Sequence, residues 1–134
     1  MCVIDKRKFR FTLWRKKCYK VLSKKWFDTE KDAYYTPHQN AKVFVSETEE
    51  TELIPEDPSI NPILIGKSRK YIFEPGFIFY FTDLDRAKEY ANYVDSGQGH
   101  IFEGYIPAFT RYAKNYDDPE EECARKIVLT KRIA

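Results

Sequence analysis

A run of large apolar residues that gives way to a helical pattern constrains the fold of this chain more than any other feature. Residues 77–81 read FIFYF, and the next residues turn polar and periodic. A continuous apolar run of this length is typical of a strand covered on both faces. Thr82 is a residue type that caps helix N-termini, and Asp85 follows three residues later. The junction predicts a buried strand followed by a helix that packs back on the sheet.

The helix itself is indicated by the spacing of the apolar residues after this junction. They recur every three or four positions, which places them on one side of a helix: Leu84, Ala87, Ala91 and Val94. Gly97 is the residue type that most often follows a helix end. We therefore expect one main helix over 83–95.

Most of the remaining chain favours strands, because its apolar segments are short and rich in aromatic and β-branched residues. The predicted strands are 9–14, 18–22, 41–45, 63–65, 70–73, 100–107 and 125–133. Residues 47–62 are acidic and contain three prolines, which predicts a solvated loop. Residues 26–40 are also predicted as a loop, and residues 120–124 as a helical turn. We expect one α+β domain over 1–134, a mostly antiparallel sheet of about six or seven strands with the main helix packed on it.

Composition and charge narrow the class of protein. The formal net charge is only +2 with 43% hydrophobic residues, which argues against disorder. Three scattered cysteines do not make a disulfide framework and fit a reducing compartment. No apolar stretch reaches the length of a membrane span. These features predict a cytoplasmic protein without membrane partners.

The motifs of common catalytic and metal sites do not occur in the sequence. The two histidines, His38 and His100, and the cysteines lack the short spacing of zinc ligands. Neither a G-x-S-x-G elbow nor a glycine-rich phosphate loop occurs. We therefore expect no metal and no cofactor, and the sequence favours a protein that is not an enzyme.

The order of several landmarks resembles a group of small bacteriophage and mobile-element proteins that have no agreed activity. The landmarks are CYKVL, YYTPHQN, PGFIFYFTDLDRAKEYA, IFEGYIPAFTRY and ARKIVLTKRI, spread over residues 18–133. The resemblance implies a small accessory protein that contacts a host protein. Because aromatic residues dominate the energetics of such contacts, Trp14, Tyr34 and Tyr35 are the candidate contact residues.

The same order also resembles, faintly, the ADP-ribosyltransferase fold, which would imply NAD as a ligand and a degenerate or active enzyme. The residues that match that family's pattern are Lys20 in the first strand, Thr82 after the central strand, and Glu120 or Glu122 near the last strands. Lys20 departs from the pattern, because the family has Arg or His at that position. The glutamate of such enzymes stabilises a positive charge that develops on the ribose.

A third hypothesis is nucleic-acid binding by the basic N-terminal segment. Residues 1–26 hold ten Lys and Arg against one acid, interleaved with aromatic residues. Cations on phosphates and rings on bases are the usual combination for this function, and the candidates are Arg15, Lys16, Lys17, Lys24 and Lys25. A solvated basic strand face explains the same pattern without a ligand.

Overall fold

The computed structural model describes residues 3–5, 10–37, 42–53, 62–67, 70–75, 78–94, 99–114, 118 and 120–134, with backbone alone for 3–5, 10, 62–67 and 70–75. Within these ranges it has thirteen strands and one α-helix. The strands are β1 Val3–Asp5, β2 Arg10–Phe11, β3 Lys16–Leu22, β4 Ala33–Tyr35, β5 Lys42–Phe44, β6 Thr51–Leu53, β7 Pro62–Lys67, β8 Lys70–Pro75, β9 Ile78–Phe81, β10 His100–Ile106, β11 Arg111–Lys114, β12 Glu121–Ala124 and β13 Ile127–Arg132, and the helix is α1 Leu84–Tyr93.

Eight strands form one antiparallel sheet in the order β2-β11-β12-β9-β3-β10-β13-β6. β7 pairs with β8 and, in parallel, with β1, and β4 and β5 form a two-stranded sheet. The predicted α+β class, with a mostly antiparallel sheet and one helix, is confirmed. The described chain has more strands than the sequence predicts, because β1 lies outside the predicted strands, β4, β6 and β11 form where the sequence predicts loops, and β12 forms in place of the predicted helical turn.

The junction at residues 78–84 has the predicted form. Every residue of β9 is buried, and β9 pairs with β12 on one side and with β3 on the other. Phe77 lies outside the described residues. The predicted helix is present as α1. The apolar side chains of its inner face pack on the sheet, as the helical spacing predicts.

The predicted N-cap is wrong by one residue. The Asp83 side chain accepts a hydrogen bond from the Arg86 backbone N–H at 3.1 Å, which is the N-cap interaction. Thr82 instead donates its hydroxyl to the Glu120 carbonyl oxygen at 3.2 Å. The helix ends at Tyr93 with Val94 as C-cap, and Gly97 lies outside the described residues.

The main sheet is covered on both faces. On one face α1 buries Ala87 and Ala91 against Val21, Phe81 and Ile101. The opposite face carries the larger core, which includes side chains from the β4–β5 region: Cys18, Leu22, Tyr34, Val45, Leu53, Ile78, Tyr80, Phe102, Ile106, Ala124, Ile127 and Leu129. No described helix is long and apolar enough to cross a membrane.

Candidate functional site

The loop between β2 and β3 is bonded to the turn between β10 and β11 through one buried threonine. The Thr12 hydroxyl donates to the Pro107 carbonyl at 2.5 Å and accepts from the Thr110 backbone N–H at 3.0 Å. The Thr12 backbone N–H donates to the Thr110 carbonyl at 3.0 Å, and its carbonyl accepts from the Phe109 N–H at 2.6 Å. These four bonds hold the two chain segments as one unit.

This unit presents large apolar side chains to solvent. Phe11 and Leu13 are each 65% exposed and Trp14 is 77% exposed. Together with Thr12, Arg15, Lys16 and Tyr112 they line an open cavity of about 300 Å³, which we call the apolar groove. The volume is at the lower end of the range of ligand pockets.

The neighbouring turn adds a further exposed ring in a strained backbone conformation. Phe109 has a φ of 60°, in the left-handed region, and its side chain is exposed. A residue with a Cβ holds such a conformation at a cost of about 1–3 kcal/mol, and only where its surroundings fix it. Here the bond from the Phe109 N–H to Thr12 fixes it.

The floor of the groove is anchored in the core by a buried ion pair. The Lys16 ammonium lies 2.7 and 2.8 Å from the two carboxylate oxygens of Glu122, which is only 2% exposed. The Tyr80 hydroxyl donates to the same carboxylate at 3.1 Å, and the ammonium lies 4.4 Å from the centre of the Tyr112 ring. A buried carboxylate needs such partners because its desolvation is costly.

The chemistry of this cluster is that of a structural support. Burial, and secondarily the Glu122 charge, raises the pKa of Tyr80 well above its ordinary value, so Tyr80 stays a neutral donor. Burial also raises the pKa of the nearby Cys18 thiol to about 12, which leaves it protonated and unreactive at neutral pH. Glu122 and Tyr80 position Lys16 at the groove, and neither Tyr80 nor Cys18 is an activated nucleophile.

The residues of the ADP-ribosyltransferase hypothesis lie on or beside the neighbouring strands β3, β9 and β12, and within the described residues the cavity beside Lys20 is small. Lys20 is buried and donates to the Phe79 carbonyl at 2.6 Å, beside the single Tyr19–Phe81 pairing of β3 with β9. The cavity that Lys20 lines has about 10 Å³, which is room for one water molecule. The Glu122 carboxylate is paired with the Lys16 ammonium, and the Glu120 side chain is exposed.

The three candidate contact residues have different positions. Trp14 lies at the groove, as described. Tyr34 is fully buried, with its ring edge-on to Phe102 and its hydroxyl donating to Glu47, so its proposed role as a contact residue is wrong. Burial and the bond to Glu47 raise its pKa to about 12. Tyr35 is partly buried and donates to Asp28. Alternation along β4 explains why the two tyrosines face opposite ways.

The five cations of the nucleic-acid hypothesis do not form one patch. Arg15, Lys16 and Lys17 precede or begin β3, and Lys24 and Lys25 follow it, so the two groups are about 20 Å apart along a seven-residue strand. Lys17 is paired with Glu103 at 2.6 Å, and the Arg15 guanidinium lies 4.2 Å from the centre of the Tyr105 ring.

Sequence reasoning missed most of the groove. The sequence predicts a strand over 9–14, but the strand ends at Phe11, and the Phe11 and Leu13 side chains are both exposed. Tyr112 and Phe109 lie in a segment that the sequence presents only as a loop. The available signal was the adjacent pair Leu13-Trp14, which breaks the alternation next to a basic run.

No family model, curated protein or solved structure that was compared with the chain matches it. Among the described residues, no group of three or more His, Cys, Asp or Glu side chains could hold a metal ion. The resemblances to bacteriophage proteins and to ADP-ribosyltransferases therefore stay expectations from the sequence.

Proposed function

We propose that this protein is a non-enzymatic binding protein that holds a protein partner at the apolar groove. The observation that carries the proposal is the exposure of Phe11, Leu13 and Trp14 around one cavity of about 300 Å³. Contiguous exposed apolar side chains on a folded domain mark interaction sites. Trp and Arg are also the residue types that contribute most to protein interfaces, and Arg15 lies beside Trp14.

The local structure favours binding because the groove is already ordered. The four hydrogen bonds around Thr12 hold the loop and the turn together, and the Lys16–Glu122 pair fixes the floor. Binding to an ordered surface avoids the entropy cost of immobilising loops and side chains. The partner that fits best has an apolar side chain for the cavity and an acidic group within reach of the exposed Arg15.

The same contacts make the alternatives weaker. Nucleic-acid binding needs one basic surface, whereas the candidate cations lie at two ends of β3. NAD binding needs a cleft at Lys20 and Glu122, whereas the cavity beside Lys20 has room for about one water and the Glu122 carboxylate is paired with Lys16. An accessory protein of a bacteriophage or mobile element that contacts a host factor agrees with the proposal, and that source rests on the sequence resemblance.

The test is a comparative capture experiment from lysate with the wild-type chain and with Trp14→Ser and Tyr93→Ser. Tyr93 is an exposed aromatic residue at the end of α1 and serves as the matched control. We expect the wild type and Tyr93→Ser to retain the same protein. Trp14→Ser should bind that protein at least about 30-fold more weakly, which corresponds to the binding free energy of about 2 kcal/mol that an interface hot-spot residue contributes.

Two results would contradict the proposal. Equal capture by Trp14→Ser would show that the groove is not the contact site. Loss of the captured protein after nuclease treatment, with a steep dependence on salt, would replace the proposal by nucleic-acid binding. Because Phe11 and Leu13 are also exposed, Phe11→Ser and Leu13→Ser provide independent variants that leave the core intact.

A further inference from the structure

A second set of exposed rings lies at the other end of β3. Trp26 is 93% exposed, Phe27 is 61% exposed and Phe44 is 56% exposed. Trp26 packs edge-on against Phe27 with ring centres 5.8 Å apart, and Phe27 packs against Tyr35 at 6.4 Å. We call Trp26, Phe27, Tyr35 and Phe44 the aromatic surface.

Ion pairs and hydrogen bonds hold this surface in one arrangement. The Lys42 ammonium lies 2.8 Å from Asp28, 3.0 Å from Glu30 and 5.2 Å from the centre of the Phe44 ring. The Tyr35 hydroxyl donates to Asp28 at 2.7 Å. These bonds from Lys42 and Tyr35 lower the pKa of Asp28 to about 2, so the network persists at neutral pH. The 24–32 segment and β5 therefore form one ordered surface.

The charges around the aromatic surface are nearly balanced. They are the cations Lys24, Lys25, Lys31 and Lys42 and the acids Asp28, Glu30 and Asp32. A nearly neutral surface gives no strong attraction to nucleic acid or to an anionic membrane, since both need an excess of cations. The balance is compatible with a second copy, because in a two-fold contact the acids of each copy are available to the cations of the other.

The backbone at this surface also has an open side. Among the described residues β5 pairs with β4 alone, so it is an edge strand with the exposed Phe44 on it. An edge strand with exposed apolar side chains is a template for pairing with another chain. Its first residue, Lys42, is held by Asp28 and Glu30 and does not repel a second copy.

The size of the surface is at the lower limit for a specific contact between two copies. Each aromatic ring can bury about 150–250 Å². The uncovered parts of Trp26, Phe27 and Phe44 from both copies amount to roughly 600–1,000 Å² on this basis. The stems of the flanking lysines and the β5 backbone add to this, which brings the total to about 1,000 Å², the lower bound for a specific interface.

We propose that two copies of this chain form a two-fold dimer through the aromatic surface, with the two β5 strands side by side and antiparallel. The rings of Trp26, Phe27 and Phe44 of one copy cover those of the other. The apolar groove lies outside this contact, so the dimer does not depend on the proposed function.

Sedimentation velocity and light scattering between about 1 and about 100 µM test the proposal, because this range detects dissociation constants of about 1 to 100 µM, which are typical of small interfaces. We expect the wild-type mass to rise from 16.0 kDa towards twice that value with concentration. Trp26→Ser and Phe44→Ser should each weaken the dimer at least tenfold, and Trp14→Ser and Tyr93→Ser should leave its dissociation constant unchanged.

The proposal is overturned if the wild type stays monomeric over the whole range, in which case the surface binds something other than a second copy. It is also overturned if Trp26→Ser and Phe44→Ser dimerise as tightly as the wild type. Because both side chains are largely exposed, neither variant removes packing from the core, and circular dichroism checks that each variant is folded.

Discussion

Two adjacent lysines show how strongly position within a strand decides the role of a residue. Lys16 and Lys17 follow each other in β3 and therefore point to opposite faces of the sheet. Lys16 meets the buried Glu122, whereas Lys17 pairs with Glu103 at a solvated position where 62% of the lysine side chain is exposed. Lys16 thus neutralises a buried carboxylate, whereas Lys17 forms an ion pair at the surface.

Replacing Lys16 should destabilise the protein far more than replacing Lys17. Lys16→Met leaves the Glu122 carboxylate buried with the Tyr80 hydroxyl as its main partner, which should lower the free energy of unfolding by about 3 kcal/mol. Lys17→Met removes an exposed, solvent-screened pair and should leave the free energy of unfolding nearly unchanged. Urea denaturation of the two variants measures the difference.

A second variant separates the ion pair from general damage to the strand. In Lys16→Met/Glu122→Met both charges are replaced by apolar side chains of similar length, which is often neutral or favourable. We expect this double variant to regain part of the stability that Lys16→Met loses, and not all of it, because the buried Tyr80 hydroxyl then lacks its acceptor. If it is no more stable than Lys16→Met, the unpaired carboxylate is not the main cost of that variant.

The residue scale is also where the sequence is least informative. The basic run at 15–17 reads as a solvated face, and nothing local distinguishes the lysine that meets a carboxylate 106 residues later in the chain. Tyr34 and Tyr35 pose the same difficulty, since identical side chains face the core and the surface. Such assignments depend on the register of strands that pair over long sequence separations.

At the scale of elements, the sequence predicts well where a pattern is local and long. β3, β9, α1, β10 and β13 all lie where apolar runs, alternation or helical spacing place them. β4, β6, β11 and β12 have only three or four residues, and each depends on a partner strand outside its own segment to complete its hydrogen bonds. For β12 the four residues are all buried between β9 and β11, so the sheet overrides the helical tendency of its sequence.

The helix start supplies a test at this scale. Asp83→Ala removes the side chain that accepts the Arg86 N–H and should lower the free energy of unfolding by about 1 kcal/mol. Asp85→Ala removes an exposed acid from the first turn, which interacts with the helix dipole alone, and should cost about 0.5 kcal/mol or less. Thermal or urea denaturation distinguishes the two values.

The position of the cap can be checked with one further variant. Thr82→Val removes the hydroxyl that bonds to Glu120 and leaves the Asp83 cap in place. We expect Thr82→Val to lower the free energy of unfolding less than Asp83→Ala does. A larger loss in Thr82→Val would contradict the assignment of Asp83 as the N-cap and favour Thr82, the residue that the sequence predicts.

At the scale of the whole molecule, β3 separates the two surfaces that carry the proposals. The apolar groove includes Lys16 at the start of β3, and the aromatic surface lies beyond Leu22 at its end. Seven strand residues span about 20 Å, so the two surfaces do not overlap. A dimer formed through the aromatic surface therefore leaves both grooves open, and the assembled molecule has two equal binding sites.

This arrangement predicts that dimerisation changes avidity and leaves the intrinsic affinity of each groove unchanged. At a concentration where the wild type is mostly dimeric and Trp26→Ser is mostly monomeric, the wild type can engage two densely immobilised groove partners at once and should bind about 100-fold more tightly than Trp26→Ser. With the partner immobilised sparsely, each molecule engages one partner, and the two chains should bind equally. If Trp26→Ser binds the sparsely immobilised partner more weakly than the wild type does, the aromatic surface itself contacts the partner. Avidity cannot explain such a difference, because each molecule binds only one partner on that surface.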